Sequence, residues 1–279
     1  MSNWCFGTLA VGKRYRQHAI NLVQDAQLYA PNIPIIVLTD KPEDFVGYPA
    51  VQAIKHRLQS VKGYHDKRFV IQAALLHFDT CLFIDSDVRI LGQVPEQLSW
   101  EPGITARAGC NILKHNSRKN QRRILPLLEH VSNKLDIDLE KTYWLHEFMF
   151  AVTRQGGVEL EFLKLWQTIS YFFEMQGFYG GEGNTIGLAS SKTGFNMRLD
   201  SKDRFPVFKD NIEKFKIKNN QSSFDDKKEF FEAHEKIEFP KRSFGKKVAD
   251  KLTKHVVFAY RIVRLKFVAR KDADLQRLL

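Results

Sequence analysis

Two stretches constrain the fold most: "IPIIVLTD", Ile33 to Asp40, and "TCLFIDSD", Thr80 to Asp87, each a nearly unbroken apolar run that ends on aspartate. Apolar residues without alternation over such a length are the pattern of a strand covered on both faces, as in a parallel sheet. Helical and strand-like segments alternate around them. "NWCFGTLAV" reads as a first strand, and "RYRQHAINLVQDAQLYA" carries Ala19, Leu22, Val23 and Ala26 at helical spacing. "AVQAI" is a weaker third strand, and "HDKRFVIQAALLHF" is a helix for which Asp66 is the expected N-cap. Strand, helix, strand, helix, strand predicts an α/β fold: a mainly parallel central sheet with helices on both faces, Rossmann-like. Ligands of such sheets gather beyond the carboxyl ends of the strands, where Asp40, Asp85 and Asp87 fall.

The second half is less regular. "RRILPLLEHVSNKL" predicts a helix begun or kinked at Pro126, "TYWLHEFMFAVT" reads as one aromatic strand interrupted by His146 and Glu147, and "VELEFLKLWQTISYFFEMQ" is the strongest amphipathic helix pattern. "GFYGGEGN" reads as a glycine-rich turn. Residues 201–239 are polar and carry no clear period.

Asp85 and Asp87 stand one residue apart, so an extended backbone would put them on one side. Leu82, Phe83 and Ile84 bury the approach, and two charges there need a cation or several donors to offset desolvation. A divalent hard ion meets that need with oxygen ligands from carboxylates and phosphates. The alternative is that Asp87 caps a turn while Asp85 pairs with Lys67, Arg68 or Arg89. The same spacing recurs at Asp136/Asp138 and Asp272/Asp274, but in polar surroundings that call for no ligand.

The 279 residues carry a net charge of +11, and the excess is local: residues 240–279 hold 12 Lys or Arg against 3 Asp or Glu, whereas residues 201–239 balance at 9 each. A claim about a charged partner therefore belongs to the tail. From Lys241 the tail looks helical, with Val248, Leu252, Val256, Ala259, Val263 and Phe267 at three- and four-residue steps among the lysines and arginines. This composition suits a helix lying on an anionic membrane surface, or one packed on the domain with a solvated basic face. No apolar run approaches the roughly 20 residues of a membrane span. Three scattered cysteines suit reduced thiols, so a cytoplasmic protein, peripheral on the inner face of the membrane, is expected.

"KRFVIQAALLHFDTCLFIDSDVRIL" resembles the helix, strand and Asp-any-Asp motif of the GT-A-fold glycosyltransferases, which use nucleotide sugars; the likeness is specific over roughly residues 4 to 92. A looser likeness is to retaining members related to the blood-group transferases, with "YWLHEFMFAVTRQGG" in the place of their acceptor strand and "YGGEGNTIGLA" in the place of their acidic segment. The second of these lacks the His and Asp that precede the family's acidic residue. The resemblance implies a transferase domain over 1–239, its nucleotide-binding half about 1–92 and its acceptor half about 93–200, followed by a basic amphipathic extension over 240–279. It implies that Thr8, Ala10, Tyr15 and Asp40 line the nucleotide pocket with Ser86, that Lys67 or Arg68 reaches the phosphates, and that Asp85 and Asp87 hold Mn²⁺ or Mg²⁺. His234 is the implied third metal ligand, with His255 second. His146 and Trp144 would meet a glycan or lipid-linked acceptor, and Glu182 or Glu147 would act at the reacting carbon.

Two other functions are weighed beside this one. A sugar-phosphate nucleotidyltransferase would show a longer glycine-rich phosphate loop after the first strand, which "FGTLAVGKRYR" only weakly imitates. A noncatalytic basic protein binding membrane or nucleic acid would act through its tail alone, with steep salt dependence. No nucleic-acid motif supports that partner.

Overall fold

A computed structural model describes residues 3–117, 122–202, 204–241 and 243–279. The strands in chain order are β1 (Trp4–Ala10), β2 (Ile35–Thr39), β3 (Val51–Lys55), β4 (Thr80–Ile84), β5 (Arg89–Ile90), β6 (Gly103–Ala106), β7 (Gly109–Asn111), β8 (Tyr143–Leu145), β9 (Met149–Thr153), β10 (Met197–Leu199) and β11 (Val207–Phe208). The α-helices are α1 (Lys13–Tyr29), α2 (Lys67–Ala74), α3 (Ile112–Asn116), α4 (Leu125–Leu135), α5 (Val158–Met175), α6 (Glu182–Thr193), α7 (Asp210–Lys218), α8 (Lys228–Glu238), α9 (Phe244–Lys271) and α10 (Ala273–Leu278).

Among the described residues the central sheet has seven strands in the order β10-β6-β9-β4-β1-β2-β3. β9 alone runs against its neighbours, β4 and β6; the other pairings are parallel. The expected α/β architecture with a mostly parallel sheet is therefore present. Side chains alternate through the sheet. Trp4, Phe6, Ile35, Val37, Leu82 and Ile84 pack with α1 on one face. Cys5, Ile36, Leu38, Cys81 and Phe83 join α2, α4, α5 and α6 in the larger core on the other.

Several local expectations change. Asp66 does not cap α2: its carboxylate accepts the backbone N–H groups of Gln59 (2.6 Å) and Ser60 (2.7 Å) and meets His56 Nε2 at 2.7 Å. Burial opposes its charge, but these partners and Arg68 hold its pKa below the ordinary value. "TYWLHEFMFAVT" is two strands, β8 and β9, broken at His146–Phe148, so the interruption turns those residues out of the sheet ladder. The expected glycine-rich turn ends at Gly181, in the left-handed region (φ 75°), and Glu182 opens α6. The polar span over 201–239 contains β11, α7 and α8.

The tail is helical, as expected, and its end belongs to the fold. Leu265 and Ala269 of α9 and Leu275 and Leu278 of α10 are buried in the larger core. No helix of the described residues is long and apolar enough to cross a membrane.

Candidate active site

A cavity of about 410 Å³ opens at the carboxyl ends of β1 and β4. Its charged groups are delivered by several different elements. β4 ends at Ile84, the Asp85 N–H donates to the Phe148 carbonyl (2.8 Å), and the Val88 N–H returns to the Asp85 carbonyl (3.0 Å). This turn carries Asp85, Ser86 and Asp87 into the lining. Lys67 enters from the first turn of α2, Glu182 from the first turn of α6, and His146 and Glu147 from the break between β8 and β9.

Lys67 is the hub. Its Nζ lies 2.9 Å from Asp85 Oδ1 and 3.1 Å from Glu182 Oε1, and donates to the Glu147 carbonyl at 2.9 Å. Burial opposes its charge, but the ionised Asp85 and Glu182 more than offset that, and its pKa is raised. Lys209, the residue before α7, is the second hub: its Nζ meets Asp85 Oδ2 at 3.3 Å and also bonds Asp87 Oδ1. Asp87 is held well below the carboxylate range because His234 and Lys209 outweigh its burial.

The two glutamates separate electrostatically. Glu147 is half-buried, but one of its carboxyl oxygens is buried with no hydrogen-bond partner, and desolvation followed by the charge of Glu182 pushes its pKa up to about 8. It therefore carries a proton at neutral pH. Glu182 is buried, but Lys67 and His65 outweigh desolvation and its pKa is lowered. Neighbouring carboxyls pushed in opposite directions are a means of dividing acid and base roles.

Of the other residues named from the sequence, Tyr15, Ser86 and His146 line the cavity. His146 is held by its N–H on the Ala108 carbonyl (2.9 Å) and by the Phe148 ring, 4.9 Å away. Thr8 and Ala10 do not line it. They sit on the α1 face of β1, and Leu9 and Val11, one residue along, face the cavity instead. Asp40 is outside as well: it accepts the Gly12 N–H (2.9 Å) and pairs with Arg16 (2.7 Å), bracing the start of α1. Arg68 follows Lys67 by one helical position, so it points elsewhere, donating to the His65 carbonyl (2.7 Å) in the core beside Tyr171. Trp144 stacks on His115 with ring centroids 3.6 Å apart and is not in the lining. His255 is exposed on α9 and bonds the Lys251 carbonyl of its own helix.

His234 comes from α8 to within 3.9 Å of Asp87 Oδ2. It also faces His18 of α1, and His18 Nε2 lies 3.0 Å from Glu238 Oε1. Among the described residues, His18, His234 and Glu238 form a group whose ligand atoms lie within 4.8 Å of one another. Lys209, His18 and Glu238 were not legible as site residues, since each lies more than a hundred residues in sequence from a group it meets. Leu58, Lys62, Gly63 and Tyr64, which form one lip of the cavity, were likewise hidden in an irregular segment.

The donor set suits a hard divalent cation in chemistry: two carboxylates turned to one point, with an imidazole nearby. In this structure the Lys209 ammonium holds that point, which shows that positive charge is favoured there. No family model and no curated protein matches the chain.

Proposed function

We propose that the chain is a glycosyltransferase of the GT-A kind, moving a sugar from a nucleotide diphosphate donor to a glycan or lipid-linked acceptor. The observation that carries this reading is the convergence of Lys67, Lys209, Asp85, Asp87 and Glu182 in one cavity at the strand ends. A diphosphate is the ligand that uses ammonium groups so arranged, and a sugar carbon that gains positive charge uses an ionised carboxylate beside them.

The electrostatic balance also favours a divalent ion. Asp85, Asp87 and Glu182 face two ammonium groups, so a diphosphate arriving alone would deepen the negative excess. Asp85 and Asp87, with His234, would hold Mn²⁺ or Mg²⁺, which would supply charge neutralisation to the diphosphate. The chain's own groups do the rest. Lys67 and Lys209 receive the departing diphosphate as the bond from its oxygen to the anomeric carbon breaks with both electrons. The acceptor hydroxyl oxygen bonds to that carbon and gives up its proton, and Glu182 is the ionised carboxylate able to take it or to face the cationic carbon. Glu147, held protonated, would donate a hydrogen bond to the bound substrate, and His146 with Tyr15 lies in the wall where sugar or acceptor rings would pack.

The test is a panel of UDP-, GDP-, CMP- and dTDP-linked sugars, read as Mn²⁺-dependent binding and slow donor hydrolysis. One donor is expected to be hydrolysed, with Asp85→Asn and Asp87→Asn inactive and Asp136→Asn, altered at an exposed helix end, fully active. Equal activity in all three variants would refute the site. Pyrophosphate release from a nucleoside triphosphate and a sugar phosphate would instead identify a nucleotidyltransferase.

A further inference from the structure

Helix α9 has two faces with different partners. One face is docked: Leu265 and Ala269 are buried, Arg261 donates to the Val61 carbonyl (3.0 Å), and Arg264 donates to the Leu58 carbonyl (2.7 Å). The opposite side carries Val248, Leu252, Val256, Val263 and Phe267, continuing to Phe244 at the helix start. At 100° per residue, Leu252, Val256, Val263 and Phe267 fall within about 60° of one another and roughly half a turn from Leu265. This ridge is left in water: Phe244 is 82% exposed, Val256 70% and Leu252 63%. Apolar side chains in a continuous line along several helical turns mark a binding surface rather than ordinary surface scatter.

The charge around the ridge identifies what covers it. Phe244–Lys271 contains nine Lys or Arg and one acidic residue, Asp250. Lys266, Arg270 and Lys271 are exposed on or beside the apolar line. A second copy of this chain would bring the same positive charge to the contact, whereas an anionic bilayer offers hydrocarbon for the ridge and phosphate for the lysines. The helix is not apolar enough to cross a membrane, so it would lie along the surface.

We propose that the outer face of α9 docks on an anionic membrane surface. The consequence reaches the cavity, because the segment that Arg261 and Arg264 hold is the one whose Leu58, Lys62 and Gly63 form the cavity lip. Resting on the transferase reading above, this makes the acceptor a lipid-borne glycan presented at the bilayer on which the protein sits.

The experiment uses the full chain. Co-sedimentation with vesicles of phosphatidylcholine and phosphatidylglycerol (about 7:3) is compared with phosphatidylcholine alone, for the natural chain and for Leu252→Asp/Val256→Asp. The natural chain is expected to sediment with the anionic vesicles only, and less in high salt. The double variant should bind them at least tenfold more weakly, with its melting temperature unchanged because both side chains are exposed. Equal sedimentation of the variant, or none of the natural chain, overturns the proposal. So does a dimer in sedimentation equilibrium that the same double variant dissociates, since the ridge would then belong to a second copy. Nucleotide-sugar binding measured on the same variant keeps the two readings apart: a change in vesicle binding with donor binding intact concerns α9 alone.

Discussion

Glu147 and Glu182 both approach Lys67, yet their protonation differs because one has an ion-pair partner for its side chain and the other has not. Glutamine imitates a protonated glutamate, so the two substitutions should diverge. Glu182→Gln is expected to lower kcat by roughly 10²- to 10⁴-fold, the range of a lost proton-transfer group, whereas Glu147→Gln should cost less than tenfold. Steady-state kinetics with the donor found in the nucleotide-sugar panel checks both, and equal losses would contradict the division of roles. Lys209 makes a second prediction at this scale. Its ammonium stands between Asp85 and Asp87, so it competes with any cation drawn to that pair. Lys209→Met should tighten Mn²⁺ binding by about tenfold, or ~1.4 kcal/mol, in calorimetric titration. Unchanged or weaker binding would show that the ion sits elsewhere, the group His18, His234 and Glu238 being the first place to look.

Elements enter the site through close backbone approach. α6 delivers Glu182 only because it lies directly on β8, and Gly183 and Gly187, one helical turn apart, make that contact possible. A Cβ on Gly183 would stand 2.2 Å from the Leu145 carbonyl oxygen, and one on Gly187 2.0 Å from that of Tyr143. Backbone cannot yield as a side-chain tip can. Gly183→Ala should therefore destabilise by on the order of 2 kcal/mol or more, visible as a drop of several degrees in thermal melting. Gly180→Ala is the matched control, because a Cβ there meets nothing within 4 Å. The break at His146–Phe148 works in the same way: β8 and β9 stop pairing as one strand so that Lys67 can hold the Glu147 carbonyl.

For the molecule as a whole, the tail and the sheet domain form one stability unit. Leu265, Ala269, Leu275 and Leu278 are buried in the core that backs the sheet, so deleting residues 241–279 should remove on the order of 5–10 kcal/mol of apolar burial. That rivals the net stability of an ordinary domain, and the shortened chain is expected to be unfolded or insoluble in circular dichroism and sedimentation. Glu174 ties stability to pH. Its carboxyl accepts the Val61 N–H (2.8 Å), in the segment that α9 also holds, and burial pushes its pKa up from 4.5 to about 7. Between those values the folded chain retains a proton that the unfolded chain has released, so stability present below pH 4.5 is lost as pH rises through about 7. The full loss is about 3 kcal/mol. Urea titrations should show Glu174→Gln gaining on the natural chain across that window; a constant difference would contradict the linkage.

Sequence alone carried the alternation of elements, the buried character of β2 and β4, the basic helical tail and the place of Asp85 and Asp87 beyond a strand end. These are legible because burial on both faces and helical periodicity are written in consecutive residues. The face of β1 was not: Trp4 to Ala10 is apolar on both sides, so nothing in the pattern separates Thr8 and Ala10 from Leu9 and Val11, and one residue of register exchanges them. α6 was hidden because its glycines, serines and threonines are poor helix formers in isolation, and packing on β8 overrides that preference. Lys209 and the trio His18, His234 and Glu238 came from the folded chain alone. Their partners lie far away in sequence, and ionic attraction acts through space, so it leaves no local pattern to read.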